Sequence, residues 1–205
     1  MDARIVPVNT AGKENDLYFS RDCNSREEAT ACFKRACKRL VNPPLWHELA
    51  GKFAAEFKLF NAAGNTAERL AAVGDFFQVD LPGPGPKAGG GYDWVTVVSI
   101  VDETNENAEE EMFAMKLQPA ADPTGSGNGV AHFFREGASS TFVIQRTGNR
   151  VSASYHGRNE LPNVNTDNGF DKIRNTVVAT GAALGLSEAQ WSALCKALLE
   201  DEIGG

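Results

Sequence analysis

The stretch Thr141–His156 reads TFVIQRTGNRVSASYH and has the pattern of a β-hairpin. It predicts two strands, Thr141–Arg146 and Arg150–His156, joined by a turn that contains Gly148 and Asn149. These two residue types adopt the positive φ values of a tight hairpin turn most readily. Because strands joined so briefly pair antiparallel, this stretch indicates an antiparallel sheet.

The chain before this hairpin carries further strand patterns. Phe57 and Leu59 alternate with charged neighbours, as in a half-buried strand within 55–60. More strands are predicted at Phe76–Leu81, Trp94–Asp102, Glu111–Gln118 and Val130–Phe134. A short strand is also predicted at Leu17–Phe19.

Helix patterns lie on both sides of the strands. Ser25 and Glu28 form a capping box, after which apolar or small side chains recur at helical spacing as far as Leu40. The basic residues of this helix, Lys34, Arg35, Lys38 and Arg39, are expected on its outer, solvent-facing side. A second capping box begins at Ser187, and its helix carries an apolar stripe of Trp191, Leu194, Cys195, Leu198 and Leu199. A preceding helix is predicted at Asp171–Leu184, separated from the last one by Gly185.

These patterns predict a single α+β domain over residues 1–205, with 1–16 as a loosely ordered arm. A curved antiparallel sheet of about six strands packs against N- and C-terminal helices. The element order resembles the START-like or helix-grip (SRPBCC) superfamily, and NPPLWHEL at 42–49 is similar to the short helix that such proteins place before their second strand. The resemblance implies an apolar ligand between sheet and C-terminal helix, because many members are lipid or polyketide binders or cyclases.

Composition and charge exclude several classes of function. The 205 residues are 42% hydrophobic and 23% charged, which is typical of a soluble globular protein. A formal net charge of −7 repels a phosphate backbone, so no nucleic-acid partner is expected. We find no signal-peptide pattern and no apolar run that could insert into a membrane, so the cytoplasm is the expected compartment. The spacing of the cysteines and histidines indicates reduced, mostly buried thiols and no metal or other cofactor.

A Gly- and Pro-rich loop, 82–91, interrupts the strand pattern in DLPGPGPKAGGGYDW. Its prolines lack the N–H groups that a phosphate cradle requires, so a phosphate site is not predicted. The loop is either a plain connection or a lid, with Lys87, Tyr92 and Asp93 as candidate binding residues. Trp94 is expected in the core.

The segment HGRNELPN, 156–163, places a base, a guanidinium, an amide and a carboxylate at a strand end. The candidate binding residues here are His156, Arg158, Asn159 and Glu160, with His132 from VAHFF. In a site, Arg158 would clamp a carboxylate or phosphate while His156 exchanged a proton near neutral pH. The alternative is a local turn in which Arg158 pairs with Glu160, with His132 a core residue.

The leading hypothesis is a non-catalytic binding protein. It would hold a small apolar or amphipathic ligand in a sheet–helix cleft, or a protein partner on its loops. One alternative is a hydrolase- or cyclase-type enzyme that uses His156, Arg158, Glu160 and His132; another is a structural or assembly subunit. The acid-rich loop DETNENAEEE, 102–111, is expected to be a solvated hairpin connection.

Overall fold

The computed structural model describes residues 5–51, 55–80, 90–125, 130–163 and 182–201, with the side chains of the last helix described from 188 onward. The strands are β1 (Lys13–Asp22), β2 (Glu56–Phe60), β3 (Phe76–Asp80), β4 (Asp93–Glu103), β5 (Glu110–Pro119), β6 (Ser139–Thr147) and β7 (Arg150–Glu160). The helices are α1 (Arg26–Leu40), α2 (Trp46–Ala50), which follows a 3-10 turn at Pro43–Leu45, and α3 (Ala182–Leu198).

The strands form one antiparallel sheet in the order β1-β7-β6-β5-β4-β3-β2. The α+β class and the curved sheet packed on N- and C-terminal helices are confirmed, with seven strands rather than about six. A bulge between Val97 and Ser99 interrupts the β4–β5 register, and such bulges bend a strand. The predicted hairpin is also confirmed: Thr147 pairs with Arg150, and Gly148 has a φ of 57°.

One face of the sheet is covered by the helices and contains the main core. Trp46 of α2 lies at its centre, with ring centroids 5.1 Å from Phe57, 5.6 Å from Phe77 and 5.3 Å from Phe142. We call this the helix-covered face, and the opposite one the outer face. Since side chains alternate along a strand, the parity of each position decides which face it occupies.

Helix α3 packs on the helix-covered face, as predicted from its apolar stripe. Leu194 and Leu198 are fully buried. The ring of Trp191 stacks on Tyr155 with centroids 5.5 Å apart. The closing helix and the sheet therefore share one interior, which is the helix-grip-like arrangement.

Two predicted elements are wrong. Val130–Phe134 is not a strand. The Ala131 carbonyl accepts one hydrogen bond from the Trp94 N–H, and the Ala131 N–H donates one to the Ala120 carbonyl. Phe134 forms one isolated bridge with Pro162. Gly185 does not separate two helices, because α3 runs through it. A glycine inside a helix costs only about 1 kcal/mol, which tertiary packing readily offsets. The predicted helix Asp171–Leu184 lies mostly outside the described residues.

The N-terminal segment differs from the predicted loose arm at 1–16. Strand β1 begins at Lys13. Upstream of it, Ile5 and Val6 are buried on the outer face against Ala114 and Val143. Apolar contact therefore anchors part of this segment to the sheet.

Within the described residues, no helix is both long and apolar enough to cross a membrane. The same part of the chain contains no group of three or more potential metal-binding side chains.

Candidate functional site

The residues predicted at the end of β7 are divided between the two faces of the sheet. Tyr155 belongs to the core of the helix-covered face, so His156 points to the outer face. Asn159 has a positive φ of 55°, which breaks the strand alternation. Glu160 consequently turns towards Tyr155 on the helix-covered face, and the cluster does not converge.

On the outer face, His156 is the centre of a hydrogen-bonded chain. Its Nδ1 lies 2.5 Å from Oδ1 of Asp16, and its Nε2 lies 3.0 Å from Oγ of Ser154. His156 is 1% exposed, and this burial lowers the pKa of its imidazole, while Asp16 partly opposes the shift. Burial alone would raise the pKa of Asp16, but hydrogen bonds from His156 and Arg158 outweigh it and hold that pKa below its usual value.

Arg158 does not pair with Glu160, which corrects the local-turn alternative. Its Nη2 lies 2.8 Å from Asp16 Oδ1 and 3.2 Å from Glu14 Oε1, both on the neighbouring strand β1. Arg158 is buried, and its charge is neutralised across the sheet. Because Arg158 already contacts two carboxylates, it is poorly placed to bind the carboxylate of a ligand.

On the helix-covered face, Glu160 is part of a buried polar trio. The Tyr155 hydroxyl donates to Glu160 Oε1 at 3.1 Å and lies 3.2 Å from Ser140 Oγ. Burial raises the pKa of Glu160 and that of Tyr155. A Cβ at Gly157 would clash with Oε1 of the Glu160 carboxylate.

Asn159 fastens the N-terminal segment to the end of β7. Its Oδ1 accepts from the backbone N–H groups of Thr10 at 2.7 Å and Ala11 at 3.2 Å. Its own N–H donates to Asn9 Oδ1 at 2.7 Å. These hydrogen bonds use the side-chain oxygen of Asn159 to hold the N-terminal segment, which is a structural role.

The remaining candidates lie apart from this cluster. His132 accepts from the Phe134 N–H at 3.0 Å through Nδ1, and its ring stacks on Phe133. Tyr92 packs with the cluster around Trp94, which is buried as predicted. Asp93 is fully buried in β4. Lys87 lies outside the described residues.

A pocket that was not predicted lies between α1 and the β4–β5 hairpin. Its volume is about 570 Å³, and ligand sites commonly measure ~300–1,000 Å³. The lining residues come from one helix, two strands and their connecting loop. They are Phe33, Lys34, Cys37, Asp102, Thr104, Asn105, Glu106, Asn107, Glu111 and Phe113.

The floor of this pocket is apolar. Phe33 is buried on α1, and Phe113 is buried on β5. Asp102 is the register partner of Phe113, so its carboxylate lies at the edge of the floor. Burial raises the pKa of the Cys37 thiol, and the negative charges of Asp102 and Glu111 raise it further.

A buried ion pair supports the pocket from beneath. Arg146 Nε lies 2.5 Å from Glu111 Oε2, with both side chains at most 1% exposed. The Arg146 guanidinium also donates to the carbonyl of Ala108 at 2.7 Å. The other carboxylate oxygen of Glu111 accepts from the Asn105 N–H at 2.9 Å. The hairpin loop is therefore fixed to the sheet.

Contacts from α1 hold the solvent side of the same loop. Lys34 Nζ lies 2.6 Å from Glu106 Oε1, and both side chains are more than half exposed. Arg26 donates to the carbonyl oxygens of Ala108 at 2.6 Å and Glu106 at 3.2 Å. The Lys34–Glu106 pair joins the two walls of the pocket at its mouth.

The sequence interpretation placed this region in solvent. Lys34 was expected on an outer helix face and 102–111 as a solvated connection. Lys34 and most of that segment are exposed, but Glu111 at its end is only 3% exposed. One feature of the sequence could have indicated the burial of Glu111. It lies two residues before Phe113 in the same strand, so both side chains point to one face of the sheet. That α1 lies above this face depends on tertiary packing.

Comparison with known proteins assigns no family. No family model matches the chain, and no curated protein matches it. Among solved structures, norcoclaurine synthase from Thalictrum flavum is similar at 15% identity and a TM-score of 0.37, over 87% of this chain and 83% of that one. A protein from Arthrobacter aurescens is similar at 12% identity and a TM-score of 0.40, over 94% of both chains. The crystal structure of Ara h 8.0201 is similar at 10% identity and a TM-score of 0.30, over 89% of this chain and 98% of that one.

The element order and sheet topology define a helix-grip-like α+β protein. The pocket between α1 and the β4–β5 hairpin is its candidate ligand site.

Proposed function

We propose that this chain is a non-catalytic binding protein that holds a small amphipathic molecule in the pocket between α1 and the β4–β5 hairpin. The proposal rests on one observation: this pocket of about 570 Å³ has an apolar floor and a polar rim. Phe33 and Phe113 would contact the apolar body of the ligand. Polar atoms of the 104–107 loop would fix its orientation.

The construction of the walls supports binding. The ion pair between Glu111 and Arg146 holds the hairpin wall from beneath. A wall that is already ordered loses less conformational entropy when a ligand binds. The cleft involves α1, rather than the space under the C-terminal helix that the family resemblance implies.

The chemistry of the lining favours binding over catalysis. Cys37 is the one thiol among the residues that line the pocket in the described structure. Burial raises the pKa of this thiol, so it stays protonated at neutral pH and is a poor nucleophile.

The test uses an uncharged fluorescent probe, N-phenyl-1-naphthylamine. We expect saturable 1:1 binding to the wild-type chain. Cys37→Trp fills the pocket floor and should weaken probe binding at least roughly ten-fold, since it removes the apolar surface that the probe would cover. Cys37→Ala keeps the space open and is the matched control. Urea unfolding of each variant checks that the fold is retained. Unchanged binding to folded Cys37→Trp would show that the probe occupies another place.

A second candidate function comes from the outer face. Ser154, His156 and Asp16 have the hydrogen-bond order of a hydrolase triad. The enzyme alternative predicted from the sequence included His156, Arg158 and Glu160. His156 and Arg158 lie on the outer face, whereas Glu160 faces the other side of the sheet. Hydrolysis of p-nitrophenyl acetate that is lost in Ser154→Ala would support this candidate. Equal rates for wild type and Ser154→Ala would reject it.

Three further expectations complete the proposal. The described strands and helices share one main core, which supports a single domain. The cytoplasm remains the proposed compartment.

If the chain is an assembly subunit, it should self-associate, which light scattering across a range of protein concentrations would detect.

A further inference from the structure

The charges around the α1–hairpin pocket are unequal. Three carboxylates line it, those of Asp102, Glu106 and Glu111, against the single ammonium group of Lys34. The Glu111 carboxylate is neutralised by Arg146 beneath the pocket. Lys34 is committed to Glu106 at 2.6 Å. Of the three carboxylates, only that of Asp102 has no ion-pair partner among the described residues.

Asp102 is placed to meet a ligand. Its Oδ1 accepts from the Thr104 N–H at 3.1 Å, and among the described residues no cation forms an ion pair with it. Its register partner is Phe113, so the carboxylate stands beside the apolar floor rather than on the far side of the strand. A group bound on Phe113 would have this negative charge as its neighbour.

The neighbouring cations are also unavailable to an anionic ligand. Arg26 donates to carbonyl oxygens of the hairpin loop and lies 3.6 Å from Glu109. Arg146 is fully buried beneath the floor. An anion entering the pocket would meet a net negative lining, in which the one cation, Lys34, is already paired with Glu106.

These charges act on the Cys37 thiol, which lines the pocket. Burial is the main cause that disfavours a negative charge on the Cys37 thiol, and the Asp102 carboxylate acts in the same direction. A negative potential of this sign attracts a cation into the same space.

We propose that the ligand of this pocket is an amphipathic cation, an ammonium group on an apolar body, with the ammonium on Asp102 and the body on Phe33 and Phe113. This inference rests on the proposed binding function and names its ligand class. An ammonium supplies hydrogen-bond donors for the Asp102 carboxylate and for the oxygen-rich 104–107 loop. The two aromatic rings add a favourable surface for an alkyl chain that carries a cation.

The experiment compares three probes with the same eight-carbon chain: octylammonium, octanol and octanoate. Each is titrated into the full chain by calorimetry and as a competitor of N-phenyl-1-naphthylamine. We expect octylammonium to bind roughly two- to five-fold more tightly than octanol, and octanoate to bind most weakly. This preference should shrink as salt is raised, since the pocket mouth is open to solvent.

The matched variants are Asp102→Asn, which removes the charge and keeps the shape, and Glu103→Gln, which removes a neighbouring exposed charge outside the lining. Asp102→Asn should abolish the preference for octylammonium over octanol and leave octanol binding unchanged. Glu103→Gln should retain the preference.

The outcomes separate this inference from the proposed function. If octanol and octylammonium bind equally, or octanoate binds best, the cation inference is overturned while the binding function stands. If none of the three probes binds or competes, the proposed function of the pocket itself fails. A preference for octylammonium that survives in Asp102→Asn would overturn the assignment of the cation to Asp102.

Discussion

Glu111 and Arg146 are register partners on β5 and β6, and they form an ion pair that is buried at both ends, 2.5 Å from Nε to Oε2. Removing one member leaves the other charged and desolvated, which is more costly than losing the pair as a whole. The pair therefore links the stability of the sheet to the shape of the pocket above it.

We expect Arg146→Met to lower the free energy of unfolding by about 3–5 kcal/mol, measured by urea denaturation. The double variant Arg146→Met/Glu111→Leu should recover much of this loss, because no buried charge remains. Arg150→Met is the control, since its ion pair with Asp22 is exposed and should contribute at most about 1 kcal/mol. Equal losses for Arg146→Met and Arg150→Met would contradict the prediction.

Arg39 fastens the end of α3 to α1. Its guanidinium donates to the carbonyl oxygen of Ala197 in the last turn of α3 at 3.1 Å, and to that of Glu200 just beyond the helix at 2.6 Å. We expect Arg39→Met to cost about 2–3 kcal/mol of unfolding free energy, because charged hydrogen bonds to buried carbonyls are lost. Lys38→Met, an exposed neighbour on the same helix, should change stability little. A comparable loss in both variants would argue against this clamp.

The buried His156 predicts a stability that falls on mild acidification. Its pKa is lowered in the folded state from an ordinary value of 6.5, so the unfolded chain binds more protons between the two values. Stability should therefore decrease as the pH falls from about 7.5 through this window. Asp16, whose pKa lies below its usual 3.8, contributes stability above that value that is lost at lower pH.

Urea midpoints measured across this pH range test the effect of His156. His156→Gln should show a flatter pH dependence than the wild type, and His47→Gln controls for the loss of a histidine. Glu160, with a raised pKa, acts in the opposite direction and is present in every variant, so the difference between variants isolates the imidazole. Parallel pH profiles for His156→Gln and the wild type would count against the prediction.

Gly157 leaves room for the Glu160 carboxylate. An alanine Cβ there would clash with Glu160 Oε1 and would lie 3.0 Å from the Tyr155 hydroxyl. We expect Gly157→Ala to cost about 1–3 kcal/mol of unfolding free energy. The clash should disappear in Gly157→Ala/Glu160→Ala, so a double-mutant cycle measured by urea denaturation should give a clear coupling energy. Simple additivity of the two single changes would contradict this packing.

The sequence predicted those features that depend on local chemistry and on the alternation of side chains. The hairpin at Gly148, the start of α1 at Ser25 and the buried stripe of α3 all follow from short-range patterns, and the structure confirms them. The wrong elements are those that tertiary contacts decide. Val130–Phe134 has strand-forming residues but makes only single backbone hydrogen bonds and one isolated bridge. Gly185 lies within helix α3.

The structure buries His156, Arg158 and Glu160 at the end of β7 but does not bring them together in one site. A single positive φ at Asn159 sends Glu160 to the face opposite His156, and residue order does not reveal such a turn. The pocket was missed for a related reason. Its walls, α1 and the β4–β5 hairpin, are far apart in sequence.

The sequence by itself thus determined the α+β class, the antiparallel pairing and the amphipathic faces, because each depends on the periodicity of neighbouring side chains. Only the tertiary structure decided that α1 covers the strand ends near Asp102 and Phe113, and that Glu111 is buried with Arg146. The physical reason is that a ligand site is formed by distant segments, and their relative placement is fixed by packing over the whole core.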